Sequence, residues 1–244
     1  MNFYQELSPL YDDMINFSHR LETEKGVFEN ILKNHPAKTT LDAGCGSGFH
    51  TILLSQLDLN VTGIDNSDSM LKLAKKNSRK YKVSPSFVKG DFLSLNVNLQ
   101  NSFDAVFCLG NSFVHLLTED DQIQTLLNFR GCLKKHGYLC LQIVNYDKIL
   151  KNKQNVLAVR EVNNQRITRL YSFNQNTITF TIKVETEKDC KEFSTELYPM
   201  QSDEIQSHLQ KTGFSKIHLY GDLKLNPYEQ FESENICLFC YVDS

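Results

Sequence analysis

Three glycines at alternate positions, Gly44, Gly46 and Gly48, follow the apolar run 39–43 and precede an amphipathic stretch, 48–57. Few arrangements restrict a chain more. A strand must turn sharply into a helix, and bare backbone in the turn lets a ligand lie directly against the main chain. The dinucleotide fingerprint GxGxxG counted from Gly44 needs glycine at position 49, which is Phe49; counted from Gly46 it needs glycine where Thr51 stands. An acid closes the next apolar run, Val61-Thr62-Gly63-Ile64-Asp65, 21 residues after Gly44. That is close to the spacing at which a carboxylate meets ribose hydroxyls across a βαβ unit. A carboxylate accepts from both hydroxyls and disfavours a 2′-phosphate, so loop and acid together point to a nucleoside-bearing ligand.

The surrounding pattern extends this unit. Residues 39–43, 60–64, 86–89, 103–109 and 137–144 read as strands, and 48–57, 67–80 and 119–134 as helices, the last closed by His136-Gly137. Strands separated by helices imply right-handed crossovers and an α/β, doubly wound, mostly parallel sheet. The first 35 residues read as two helices, with Leu7, Leu10, Tyr11, Met14 and Ile15 at helix spacing in one and Val27, Phe28, Ile31 and Leu32 in the other; Pro36 stops the second. After Asn152 the rhythm changes. Segments 156–162, 166–173, 177–185 and 193–198 are rich in Val, Ile, Thr and Phe, with breaks at Asn163-Asn164 and Asn174-Gln175-Asn176, and read as an antiparallel meander. A helix over 202–212, ended by Gly213, and strands over 216–221 and 236–242 complete the chain.

Composition excludes several classes. With 41% hydrophobic and 23% charged residues, the chain of 244 residues can bury a substantial core. A formal charge of −3 argues against a dominant basic face for nucleic acid. No stretch approaches the roughly 18 uninterrupted apolar residues of a membrane span, and the N-terminus lacks the basic flank and apolar run of a secretory signal. The seven cysteines are odd in number and sit mostly in apolar runs, as small buried residues do in a reducing, cytoplasmic compartment. Cys237-Leu238-Phe239-Cys240 has no second CxxC or nearby His pair, so strand packing is expected there and no metal site.

The GxGxG loop with its following acid resembles the class I methyltransferases that bind S-adenosylmethionine. Further matches follow in order: Lys89-Gly90-Asp91-Phe92 after the third strand, Ser102-Phe103-Asp104-Ala105-Val106-Phe107 at the fourth, and Leu133-Lys134-Lys135-His136-Gly137-Tyr138-Leu139 before the fifth. The resemblance implies a Rossmann-like, mostly parallel, seven-stranded sheet with the meander inserted after strand five. One domain over 1–244 is expected: a helical lid (1–35), a cofactor-binding core (36–150), the β insertion (151–200) and a C-terminal part of the sheet (201–244). Cofactor contacts are implied for Gly44, Cys45, Gly46, Gly48, Asp65, Asn66 and Met70, with Asp91 on the adenine amine and Phe92 beside the ring. Asp104 reads instead as a brace of the sheet.

Cys108–Leu116, Val144–Leu150, Glu196-Leu197-Tyr198-Pro199 and Gly221-Asp222-Leu223 with Tyr228 are similar to segments of glycine N-methyltransferases, and the likeness runs along nearly the whole chain. It implies that Leu109 and His115 contact the methionine end of the cofactor and that Asn111 faces the reacting amine. Tyr11 would close over the site from the N-terminus, and Tyr198 would act as a lid tyrosine from the meander. The activity implied is methyl transfer to a small-molecule acceptor, an amine nitrogen, by a monomer or homo-oligomer without nucleic-acid or membrane partners. Asn226-Pro227-Tyr228 lacks the second proline of the nucleic-acid enzymes' Asn/Asp-Pro-Pro-aromatic motif. One departure stands out: where glycine N-methyltransferases carry His-Arg-Asn-Tyr-Asp, this chain has Ile143-Val144-Asn145-Tyr146-Asp147. The arginine expected to clamp a substrate carboxylate is absent, and Val cannot replace its bidentate fork. Either a less polar amine such as an amino sugar is the acceptor, or Arg160, Arg166 or Arg169 approaches from the meander. A cofactor-binding module without catalysis is the further alternative.

Overall fold

The computed structural model describes residues 3–95, 99–153, 155–162 and 164–243. Met1, Asn2, the Asn163 half of one expected break and the final residue of the 201–244 segment lie outside the described residues. Two helices, α1 (Phe3–Met14) and α2 (Phe17–Asn34), lead into β1 (Thr39–Ala43). There follow α3 (Phe49–Ser55), β2 (Asn60–Asp65), α4 (Asp68–Lys80), β3 (Ser86–Lys89) and β4 (Phe103–Cys108). Next come α5 (Glu119–Cys132), β5 (Leu133–Val144) and a short α6 (Tyr146–Asn152), capped by the Asn145 side chain. The meander is β6 (Val156–Val162), β7 (Gln165–Phe173), β8 (Ile178–Glu185) and β9 (Cys190–Leu197). The chain closes with α7 (Ser202–Lys211), β10 (Phe214–Tyr220) and β11 (Asn235–Val242).

The main sheet has seven strands in the order β3-β2-β1-β4-β5-β11-β10. Neighbours from β3 to β5 are parallel, and β11 runs against both β5 and β10. This is the α/β, Rossmann-like architecture expected, with the meander as a separate four-stranded antiparallel sheet. Both faces of the central strands are covered. Val106 and Cys108 of β4 share a core with Leu126 and Phe129 of α5, whereas Ala105 and Phe107 share one with Phe28 and Ile31 of α2 and Ile52 of α3. A strand clothed on both sides has no polar alternation, which is why these segments read as continuous apolar runs. The CxxC pair lies within β11, both thiols fully buried in strand packing. Among the described residues no helix is long and apolar enough to cross a membrane.

The largest departure from the expected boundaries lies where α5 gives way to β5. α5 ends at Cys132 rather than Lys134, and His136-Gly137 is not its cap: Leu133 already pairs with Phe103, and His136 takes φ +62° inside an irregular stretch of β5. The pull comes from across the sheet. Asp104 accepts from the Lys38 and Thr39 backbone N–H groups at 2.9 and 2.8 Å and receives Lys134 Nζ at 2.9 Å, so it braces the strands as read from sequence and draws Lys134 out of the helix.

Strand order reverses between β1 and β4, and the crevice beyond their C-terminal ends is where open α/β sheets hold ligands. Above it, Ile167 of β7 and Ile182 and Val184 of β8 pack on Leu7 and Met14 of α1. The meander thereby backs the N-terminal helix over that crevice.

Candidate active site

The three loop glycines adopt φ of +77°, +54° and +86°, a left-handed conformation that L side chains resist. Gly44 and Cys45 N–H groups both donate to Ile64 O, at 2.9 and 2.8 Å, which presses the turn against the end of β2. The Gly46 N–H donates to Asp65 Oδ2 at 2.9 Å and the Ser67 N–H to Oδ1 at 2.8 Å. Burial pushes the Asp65 pKa up, and these backbone donors oppose the shift. An ionised carboxylate offers about four lone-pair positions, so Asp65 keeps acceptor capacity on the cavity it lines. Asp42, behind the loop, is almost wholly buried; Thr51 Oγ1 donates to it at 2.5 Å, and burial pushes its pKa up to about 7.

A cavity of about 680 Å³ opens above the loop, within the size range of small-ligand sites. Asp91 and Phe92 form one wall. Asp91 caps the short turn Phe92–Ser94 by accepting from the Leu93 N–H at 2.9 Å, and the Phe92 ring meets Phe129 edge-on at 5.3 Å. Leu109, Ser112 and His115, just past β4, form the opposite wall. Tyr4 and Tyr11 of α1, Arg20 of α2, and Ser194 and Thr195 of β9 supply the roof. Burial pushes the His115 pKa down to about 4, so at neutral pH an uncharged imidazole faces the Tyr4 hydroxyl, 2.8 Å from Nε2. Burial likewise raises the pKa of Tyr4 and Tyr11, which remain protonated phenols. His50 is also held neutral, burial lowering its pKa to about 3. Arg20 lies over the Phe49 ring at 4.2 Å and pairs with Glu24 through contacts of 2.6 and 3.1 Å.

Of the residues singled out in the sequence, Gly44, Cys45, Gly46, Asp65 and Asn66 line the cavity floor, and Asp91, Phe92, Leu109, His115 and Tyr11 its sides and roof. Four stand elsewhere. Gly48 precedes α3, where a Cβ would come within 3.0 Å of Ala74 Cβ, and Met70 is fully buried in α4. The Asn111 carboxamide is turned to the protein: Oδ1 accepts from the Val144 N–H at 3.0 Å and Nδ2 donates to the Tyr146 hydroxyl at 2.9 Å. Tyr198 donates its hydroxyl to Glu204 Oε1 at 2.7 Å and its N–H to Val114 O, and so is fastened to α7. Likeness of sequence places a residue along the chain but not the direction of its side chain. Tyr4, Arg20, His50, Ser194 and Thr195 were not singled out. Tyr4 had a signal, since it lies seven residues before Tyr11 on the same helix face; the others had none.

The group that would suit this cavity is a nucleoside with a charged tail. Bare backbone at Gly44 and Gly46, the half-buried Asp65 carboxylate with spare acceptors and an aromatic wall meet that description. A methyltransferase-domain family profile matches residues 40–137. Over 226 residues the chain is 33% identical to the glycine/sarcosine N-methyltransferase of Aphanothece halophytica, spanning 88% of this chain and 80% of that protein. An S-adenosylmethionine-dependent methyltransferase from Clostridium acetobutylicum has a similar fold (TM-score 0.81, 19% identity, 100% of both chains). So has the amino pentose methyltransferase CalS10 from Micromonospora echinaspora (TM-score 0.70, 17% identity, 95% of this chain and 96% of that one).

Proposed function

Because the chain belongs to the S-adenosylmethionine-dependent methyltransferases, with relatives among the glycine/sarcosine N-methyltransferases, we propose that it methylates the nitrogen of a small amine held between the glycine loop and the Tyr4–Tyr11 roof. The observation that carries the cofactor assignment is the Asp65 carboxylate, fixed by two backbone donors and still able to accept from two ribose hydroxyls. Asp91 and Phe92 take the adenine, and Leu109 and His115 the methionyl end. When bound, S-adenosylmethionine would supply a sulfonium-activated methyl group, open to in-line displacement with the neutral thioether as leaving group.

The protein's own part is binding, alignment and exclusion of water. α1 and α2 serve as the lid, steadied by the meander and latched where Tyr4 meets His115. A neutral amine carries its own lone pair, so no general base is required before attack. Tyr4 and Tyr11 line the cavity, and aromatic rings there suit the positive charge that passes from sulfur to nitrogen during transfer. Asn111 acts at one remove, by fixing Tyr146 and the end of β5. All seven cysteines are unpaired and six are buried, which fits work in the reducing cytoplasm.

Calorimetric titration with S-adenosylhomocysteine tests the reading. Stoichiometric binding is expected, weakened by about 1–3 kcal/mol in Asp65→Asn, the worth of hydrogen bonds to a charged group. A methyl-donor turnover screen over small amines then tests the chemistry. Lack of binding would remove the cofactor assignment; binding without turnover of any amine would remove the catalytic one.

A further inference from the structure

Asparagine is a weak helix former and, once buried, must find partners for its amide. Asn77 is nonetheless buried in the last turn of α4, on the same face as the fully buried Ala74. Its Nδ2 donates to the Ser47 carbonyl of the glycine loop at 3.1 Å and to Asp12 Oδ2 of α1 at 2.8 Å. An amide nitrogen carries two hydrogens, so this one side chain spends both on joining the lid helix to the loop. The other oxygen of Asp12, Oδ1, is buried without a hydrogen-bond partner among the described residues.

α4 is the fixed body of this arrangement. The Ser67 N–H at its N-cap donates to Asp65 Oδ1 at 2.8 Å, and a Cβ at Gly48 would come within 3.0 Å of Ala74 Cβ. α1, in contrast, bridges the crevice and is tied at two points. Tyr4 meets His115 beyond β4 at 2.8 Å, and Asp12, about 12 Å further along the helix, meets Asn77. Pro9 stands between the two ties and gives the Gln5 carbonyl no helical donor; Ser8 Oγ donates to it instead, at 3.1 Å. The helix is weakened there, so the Asp12 end needs an anchor of its own. Adjacent residues of α1 then address adjacent residues of the loop. The Tyr11 hydroxyl lies 3.7 Å from where a Cβ would stand at Gly46, and Asp12 reaches Ser47 through Asn77. Tyr11, Gly46 and Ser47 all line the cavity, whereas Asn77 stands behind it.

We propose that Asn77 is a positioning residue that couples the seating of α1 to the conformation of the glycine loop, so that the cofactor surface is complete only when the lid is down. The inference rests on the S-adenosylmethionine reading of the cavity and extends it to a residue outside the ligand's reach. Coupling is reciprocal: if seating α1 helps the loop to hold a ligand, a ligand on the loop must steady α1.

Hydrogen exchange of α1 amides with and without S-adenosylhomocysteine, followed by mass spectrometry, and calorimetry on the same proteins provide the test. In the wild type the ligand is expected to slow exchange in the 10–14 segment by about tenfold or more. Asp12→Ala and Asn77→Ala should each weaken binding by about five- to tenfold and abolish that slowing. The double variant should bind no worse than Asn77→Ala, since both changes cut one connection. Asp12→Asn keeps an acceptor oxygen for Asn77 and should behave as the wild type. Circular dichroism certifies the fold of each protein, and Asp12→Ala with Asp12→Asn decides the matter if Asn77→Ala does not fold. Wild-type affinity and undiminished slowing in Asp12→Ala overturn the inference and leave the cofactor reading standing. A loss in the double variant equal to the product of the single losses overturns it too, since the two residues would then be independent supports. So does a loss in Asp12→Asn as large as in Asp12→Ala, because charge and not the bond to Asn77 would then matter. Absence of S-adenosylhomocysteine binding by the wild type removes the cofactor reading and the coupling with it.

Discussion

Separate replacement of Gly44 and Gly46 by alanine distinguishes a glycine needed by the fold from one needed by the ligand. Both residues sit at positive φ, +77° and +54°, where an L-residue costs about 1–2 kcal/mol. A Cβ at position 44 would stand 2.8 Å from Ser112 Oγ, 2.9 Å from its Cβ and 3.1 Å from Phe92 Cζ. Neither neighbour yields freely: Ser112 Oγ donates to Leu109 O at 3.0 Å, and Phe92 is set against Phe129. Overpacking of this kind adds about 1–3 kcal/mol, so Gly44→Ala should lose about 2–5 kcal/mol in all. A Cβ at position 46 would find nothing nearer than the Tyr11 hydroxyl, at 3.7 Å. Gly46→Ala should therefore lose only the conformational 1–2 kcal/mol or so, but its methyl group would project between the loop and Tyr11, where the ligand is assigned. Urea denaturation followed by far-UV circular dichroism gives the stabilities, and calorimetry with S-adenosylhomocysteine gives the affinities. The expected stability order is wild type, Gly46→Ala, Gly44→Ala, with Gly46→Ala nonetheless losing about tenfold or more in affinity, which is about 1.4 kcal/mol. Equal destabilisation by the two, or wild-type affinity in Gly46→Ala, would refute the division of roles.

Two further outcomes follow from the site. Burial holds His115 near pKa 4 in the folded chain, against about 6.5 when exposed. Between those values the unfolded chain binds the extra proton, so stability falls as pH drops through that window. Wild type should lose about 1.5 kcal/mol more than His115→Gln between pH 6.5 and 5.0, and parallel urea curves at the two pH values would contradict a neutral His115. Tyr198→Phe removes the hydroxyl bonded to Glu204 at 2.7 Å and should cost about 1 kcal/mol with turnover unchanged; a fall in kcat at full stability would restore the lid role that sequence likeness implied.

Much of this protein is written locally. The strand–loop–helix unit and the acid at the end of β2 were legible because each depends on residues close in sequence, where φ preferences and strand period act alone; the Asp91-Phe92 wall was legible only through its likeness to the methyltransferases. The meander was visible for the same reason, as alternation between Asn-rich breaks. The end of α5 was not, because Asp104 and the pairing of Phe103 with Leu133 act from another strand. Asn111 and Tyr198 fall where likeness put them along the chain, yet their polar atoms answer to Val144, Tyr146 and Glu204 instead of the cavity. Arg20, Ser194 and Thr195 reach the cavity only through the folding of α2 and β9 onto the crest of the sheet. Neighbouring residues set the local course of the backbone, but which side chain looks into a pocket is chosen by surfaces that meet from far along the chain.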